Sequence, residues 1–244
     1  MLFHLGVFAA GLGAGFLNVM AGGGSLITLP ILIFMGLPVP VANGTNRFAI
    51  LVQNIAALAS FRQQGYDAMR SGAAFALTTI PGAIAGAFAA IHVAEGLFRA
   101  ILAGVLALSV VGLLLPGRPL GAKPQTSGRA RGLAFLAFFA VGFYGGFIQA
   151  SVGFLIILVL HRILHMGLVQ ANTHKVLIVL VFSLPALAVF IVTGNVAWST
   201  AAVLAVGNAL GGVVGARVSV RGGERPIRVV IGVALTIMAV RLVW

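Results

Sequence analysis

The sequence predicts an all-α integral membrane protein built from two inverted repeats. Each repeat is expected to be a broken, re-entrant helical hairpin followed by three transmembrane helices. Three observations predict this. Of the 244 residues, 61% are hydrophobic and only 7% charged, whereas a water-exposed globule of this size carries about 25% charged residues. Apolar stretches of spanning length recur along the chain, about 20 residues being enough to cross about 30 Å of hydrocarbon. The two halves of the chain also match each other at fixed offsets. The only acids are Asp67, Glu95 and Glu224, and the net charge is +12. In a soluble chain that excess would suggest nucleic acid; in a membrane protein it marks basic cytoplasmic loops, and no nucleic-acid partner is expected. The absence of cysteine excludes disulfide frameworks, iron–sulfur sites and thiolate zinc.

The elements follow in order. The first apolar block is 2–36. No Lys or Arg precedes its apolar run, so the positive region of a signal peptide is missing and residue 1 is expected to remain in the mature chain. As one straight helix the block would be roughly 52 Å long at about 1.5 Å per residue. It breaks instead at Ala21-Gly22-Gly23-Gly24-Ser25, with Pro30 shortly after, because three adjacent glycines disfavour continuous helix and admit close backbone approach. Spans are predicted at 45–61, 73–91 and 97–115. The stretch PGRPLGAKPQTSGRAR at 116–131 has the Pro, Gly, Ser and basic content of a cytoplasmic linker. A second long block, 132–160, then precedes spans at 175–193, 197–216 and 227–244. The expected division is a first repeat 1–115, the linker 116–131 and a second repeat 132–244, all multi-pass in the cell inner membrane.

The repeat is visible residue by residue. At an offset of 129, Asn43 pairs with Asn172, Phe61 with Phe190, Gly82 with Gly211, Gly86 with Gly215, Glu95 with Glu224 and Arg99 with Arg228. At an offset of 131 in the blocks before them, Gly15 pairs with Gly146, Asn18 with Gln149 and Gly22 with Gly153. Internal duplication of this kind is common in transporter folds. If each long block returns to the side it entered from, all of the 15 basic residues except Arg47, Arg99 and Arg241 fall inside, as the positive-inside rule prefers. The two halves are then inverted.

Two features carry the expected chemistry. The break at Gly22, Gly23 and Gly24 can place half-helix ends at the membrane midplane, where free backbone N–H groups hold an anion; a tight turn with close helix packing also explains it. The second feature is the run Asn43, Thr45, Asn46 and Arg47, matched by Asn172, Thr173, His174 and Lys175. Each run is read as the opening of a span. A cation in a first helical turn opposes the macrodipole, which makes sense if an anion is bound there; helix capping and snorkelling to headgroups are the alternatives. Asn18, Gln149 and Ser151 would add neutral hydrogen bonds, and Gln53 and Asn54 either line the same cavity or bond a neighbouring helix. The Gly-x-x-x-Gly pairs Gly82/Gly86 and Gly211/Gly215 are read as close helix contacts, and Glu224/Arg228 as an exposed helical pair.

The segments GFLNVMAGGGSLITLPILIFMGLPVPVANGTN, ANTHK and GNALGGVVGARVSVRGGERPIR resemble the TauE/SafE family of sulfite exporters and related permeases. The resemblance covers nearly the whole chain except the linker, and it implies transport of sulfite, organosulfonates or related anions. The second hairpin departs from the pattern, reading Gln149-Ala150-Ser151-Val152-Gly153-Phe154 with no glycine triplet. The expected function is a secondary transporter of a small sulfur-containing anion, exporting it across the cytoplasmic membrane. Import of another anion or organic acid, a passive anion channel and a scaffold without flux stand as alternatives. No nucleophile–base pair, metal set or cofactor motif suggests an enzyme, and no cofactor is expected. The expected partners are a small anionic substrate and membrane lipid, with a homodimer left open.

Overall fold

The computed structural model describes residues 2–94, 96–97, 100–101, 128–231 and 233. They form the helices α1 (Leu2–Ala21), α2 (Ser25–Phe34), α3 (Val39–Gln63) and α4 (Met69–His92) of the first half. The second half contributes α5 (Gly128–Phe147), α6 (Val152–Leu158, widening into a π-helical turn at Val159–Ile163), α7 (Leu168–Val192) and α8 (Trp198–Gly222). Residues 224–231 are helical again. The span at 97–115 and most of the linker lie outside the described residues; residues 128–131 of that linker form the first turn of α5.

Both long blocks are broken, and the first breaks where the glycines are. Gly22 ends α1 in the left-handed region at φ 81°, its N–H donating to the carbonyls of Leu17 and Asn18 at 3.1 and 2.9 Å, a glycine C-cap. The chain then reverses: a Cβ on Gly24 would lie 2.1 Å from the carbonyl oxygen of Ala14. The arms are unequal, 20 and 10 residues, rather than two short helices, so α1 is itself long and apolar enough to cross a membrane. The break lies level with the middle of α3, where Asn18 donates to Gln53 at 3.2 Å.

The halves interlock. The most extensive helix contacts among the described residues are α1 on α8 and α4 on α5, so the first helix of each half packs on the last long helix described in the other half. Small residues permit this. Cβ atoms on Gly207 and Gly211 would stand 2.4 and 2.0 Å from the carbonyls of Phe8 and Leu12, and on Gly82 and Gly86 at 2.4 and 2.0 Å from those of Phe139 and Phe143. Of the predicted Gly-x-x-x-Gly pairs, Gly82/Gly86 makes both close contacts, whereas at Gly211/Gly215 the tight contact is Gly211's and a Cβ on Gly215 would stand 3.1 Å from the Phe16 carbonyl; Gly11/Gly15 and Gly142/Gly146 lie on the opposing helices. In both contacts residue numbers rise together, so the helices run in the same sense. α3 also runs in the sense of α8, since Phe48 meets Trp198 and Gln53 meets Gly212. Hence α1 and α3 point the same way, with α2 returning between them. α3 and α7, which carry the matched residues, run oppositely: Arg47 lies over Phe190, while Phe61 clusters with Val176.

The outside is apolar, and polar side chains are buried within the apolar interior. Leu77, Leu136 and Val192 are 60%, 68% and 86% exposed, whereas Asn46, Arg47, Asn172 and Ser183 are fully buried. That inversion suits a lipid surround. Four helices are long and apolar enough to span. α3 is equally long, but the polar side chains it turns inward lower its hydropathy.

Candidate functional site

The two polar runs do not open their helices. Pro38 and Pro40 start α3 at Val39, their fixed φ suiting a helix opening, and α7 starts at Leu168, whose N–H donates to Glu224 Oε1 at 3.0 Å. Arg47 and Lys175 consequently sit in the third turn, and both are buried, on neither side of the membrane. The first-turn argument for an anion therefore does not apply. Each cation instead faces the negative end of the other half's first helix, where orphan carbonyls collect.

Arg47 donates from Nη1 to the Gly145 carbonyl at 2.8 Å and from Nη2 to that of Gly146 at 2.7 Å, close to the end of α5. Asn43 Nδ2 donates to the next carbonyl, Phe147, at 2.9 Å, and its Oδ1 accepts from Arg47 Nη2 at 3.5 Å. The guanidinium also lies 5.0 Å over the Phe190 ring. Lys175 does the corresponding work for α1. Its Nζ donates to the carbonyls of Asn18, at 2.9 Å, and Val19, and to Asn172 Oδ1 at 2.6 Å. Asn172 in turn donates to Ser219 Oγ at 3.1 Å.

The two breaks meet. A Cβ on Gly22 would stand 2.4 Å from the backbone of Gly153 and Phe154, and one on Gly153 would lie 2.6 Å from Gly22 Cα and 3.0 Å from Lys175 Cδ. Only bare backbone fits at this crossing. Beside it is a small cavity whose polar lining is Asn18, Asn54, Gln149 and Lys175, with Ile50, Val152, Gly153 and Val179 completing the wall. It holds about one water molecule. Gln149 Nε2 donates to Ser183 Oγ at 2.9 Å, leaving its buried Oε1 without a partner. Ser151 Oγ is likewise buried and unpartnered. Gln149 and Ser151 hold φ values of 65° and 57°, the left-handed region that costs a non-glycine residue of order 1–3 kcal/mol.

The structure thus divides the predicted site. Asn18, Gln149 and Lys175 converge on the cavity; Asn54 joins them, and Gly22 packs at its edge against Gly153. Arg47 and Asn43 hold α5. Asn46 fastens α2 to α3, accepting from Thr28 Oγ1 at 2.6 Å and donating to Ser25 Oγ at 3.2 Å. Thr45 Oγ1 accepts from the Ala197 N–H at 2.9 Å, at the opening of α8. Thr173 Oγ1 donates to its own helix at Val169, at 3.0 Å. His174 Nδ1 donates to the Gln170 carbonyl, and Nε2 shares a hydrogen bond with the Ser71 hydroxyl, both at 2.8 Å. A Cβ on Gly23 would meet only a Leu26 methyl, at 3.6 Å, whereas one on Gly24 would collide with α1. Sequence reasoning missed Ser183 and the carbonyls of Gly145, Gly146 and Val19. The 131-residue offset of Gly22 and Gly153 was the signal that the breaks are equivalent. Among the described residues no group of His, Asp and Glu could hold a metal ion.

The whole assembly has relatives. The model of the family described as sulfite exporter TauE/SafE matches residues 7–242. A protein of Escherichia coli K12 named "Probable membrane transporter protein YfcA" is 30% identical over 234 residues, covering 95% of this chain and 86% of its own. "Probable membrane transporter protein ORF9" of a Sinorhizobium species is 28% identical over 244 residues, covering 97% and 93%. A Haemophilus influenzae protein with the same description is 25% identical, covering 98% and 93%. No solved structure matches the chain significantly. All three relatives are described as probable membrane transporters. With a membrane-facing exterior, interlocked glycine-packed halves and a match over nearly its full length, the chain belongs to the sulfite exporter TauE/SafE family of membrane transporters.

Proposed function

We propose that this protein is a carrier of a small, sulfur-containing oxyanion, exporting it across the inner membrane through alternating exposure of the Lys175 cavity. One observation carries the reading. Two cations lie buried in the core with no carboxylate beside either among the described residues, and one of them lines the cavity where the two helix breaks cross. Asp67 is exposed, and Glu224 is engaged with Arg228 at 3.1 Å and with the α7 terminus. A buried charge is costly until something of opposite sign approaches it. Helix-end dipoles meet part of that cost, and a bound anion would meet the rest. Membership of the sulfite exporter TauE/SafE family supports sulfite as the cargo.

The opposite sense of α3 and α7 supports inverted halves, the architecture that lets one site face either side in turn. An inside-negative potential favours anion exit by roughly 2.3 kcal/mol per charge per 100 mV, so export needs no carboxylate relay. The cavity has room for about one water molecule, so admitting the anion requires it to widen.

The deciding experiment is thermal unfolding of the purified protein with sulfite, alongside sulfate, thiosulfate, taurine and chloride. A ligand at about 100 times its dissociation constant stabilises by about 2.7 kcal/mol. Selective stabilisation by one sulfur anion, followed by saturable counterflow of it in proteoliposomes, is the expected result. Stabilisation by none of them, or flux that does not saturate, overturns the carrier reading.

A further inference from the structure

We propose that Lys175 is a substrate-operated latch: the anion entering the cavity draws the ammonium away from the carbonyls of Asn18 and Val19 and so releases the end of α1. This rests on the reading of the protein as a small-anion carrier. An ammonium has three donors, and all three are committed inside the protein, two to α1 and one to Asn172. The Lys175 side chain nevertheless lines the cavity, its stem passing over Gly153 at the crossing of the breaks. An anion in that cavity competes with α1 for the same group.

The competition favours the anion. A hydrogen bond with both partners ionised is stronger than one to a neutral carbonyl, and a water-poor interior strengthens the attraction further. The lysine stem is flexible, so the ammonium can change partners without movement of α7. Once it leaves, the Val19 carbonyl loses its donor and the Asn18 carbonyl keeps only the Gly22 N–H, immediately before Gly22 in its left-handed conformation. A ligand shifts a conformational equilibrium only through different affinities for the two states. Here the difference is built in, because Lys175 cannot hold both the end of α1 and the anion.

Arg47 is not built this way. It does not line the cavity, its fork is spread over two consecutive carbonyls, and its plane lies on Phe190.

The chain has no cysteine, so Ala21→Cys introduces a single thiol at the latched end of α1. Ala21 is 4% exposed and packs with Met20, Phe154 and Leu168. Alkylation of that thiol by a polar maleimide is followed with and without sulfite, while thermal unfolding of the same protein reports binding. Saturating sulfite is expected to speed alkylation severalfold, and Lys175→Met in the same background to label fast in either condition. Sulfite that stabilises the protein but leaves alkylation slow overturns the latch and leaves the anion carrier standing. Slow alkylation in folded Lys175→Met overturns it equally. Absence of any anion effect on stability removes the carrier reading and the latch together. Should Lys175→Met fail to fold, the sulfite comparison with Lys175 intact decides alone.

Discussion

Arg47 and Lys175 occupy corresponding places in the two halves, yet the protein uses them differently. Both are buried, both sit in the third turn of a long helix, and both close the open carbonyls of a broken helix from the opposite half. Arg47 is enclosed: two carbonyls, Asn43 and the face of Phe190 surround its terminal nitrogens, although its buried Nε has no partner. Lys175 is held by equally good acceptors but stands beside empty space. The difference teaches that a buried cation's surroundings, not its burial, separate a structural pin from a group that can meet a ligand. Arginine suits the first role through its planar fork, and lysine the second through its mobile point charge.

The comparison can be broken in several ways. The largest effect is expected from Arg47→Met, which orphans the Gly145 and Gly146 carbonyls at about 1–3 kcal/mol each. Thermal unfolding should fall sharply, while whatever folded protein remains still responds to sulfite. Loss of the sulfite response with an intact unfolding midpoint would instead make Arg47 the ligand group. Lys175→Met should abolish anion-dependent stabilisation, a loss of about 2.7 kcal/mol at 100 times the dissociation constant. A retained shift would move the site elsewhere. Phe190→Leu removes the ring beneath the guanidinium, and a desolvated cation–π contact contributes about 2 kcal/mol. Its unfolding midpoint should drop, with sulfite affinity by titration unchanged, which sharpens the distinction between the two cations.

The smallest expected effect has the opposite sign. Ser151 combines a left-handed backbone with a buried hydroxyl that has no partner. Ser151→Gly should therefore stabilise by about 1 kcal/mol. If stability rises while counterflow slows, the strained second break serves transport rather than folding; if stability falls, the hydroxyl has a partner in the working protein.

Much of this was legible in the sequence. The glycine triplet marked the first break, and Gly82/Gly86 with Gly211/Gly215 marked the close helix contacts. The runs at Asn43–Arg47 and Asn172–Lys175 stood out in the sequence, but the structure places them in the interior of α3 and α7 rather than at span openings. Apolarity alone located those openings, and the polar residues of α3 turn inward, so the helix begins at Val39, before its hydropathy rises. The second break was harder to read, because Gln149 and Ser151 adopt conformations that glycine takes more readily. The glycine retained there, Gly153, is the one that must touch Gly22.

By itself the sequence determined that the chain lives in a membrane, that its two halves match at fixed offsets, that each half breaks early and that each half carries a polar run ending in a cation. Those properties follow from composition and local spacing, which add up along the chain. That both cations are buried came from the structure. Only the tertiary structure decided whose carbonyls each cation holds. Arg47 reaches across 98 residues to Gly145, and Lys175 across 157 to Asn18. Such partners are fixed by how glycine-lined helices from opposite halves pack, a relation between distant segments that residue spacing does not encode. The same packing left a small cavity beside Lys175, one that Arg47 does not line.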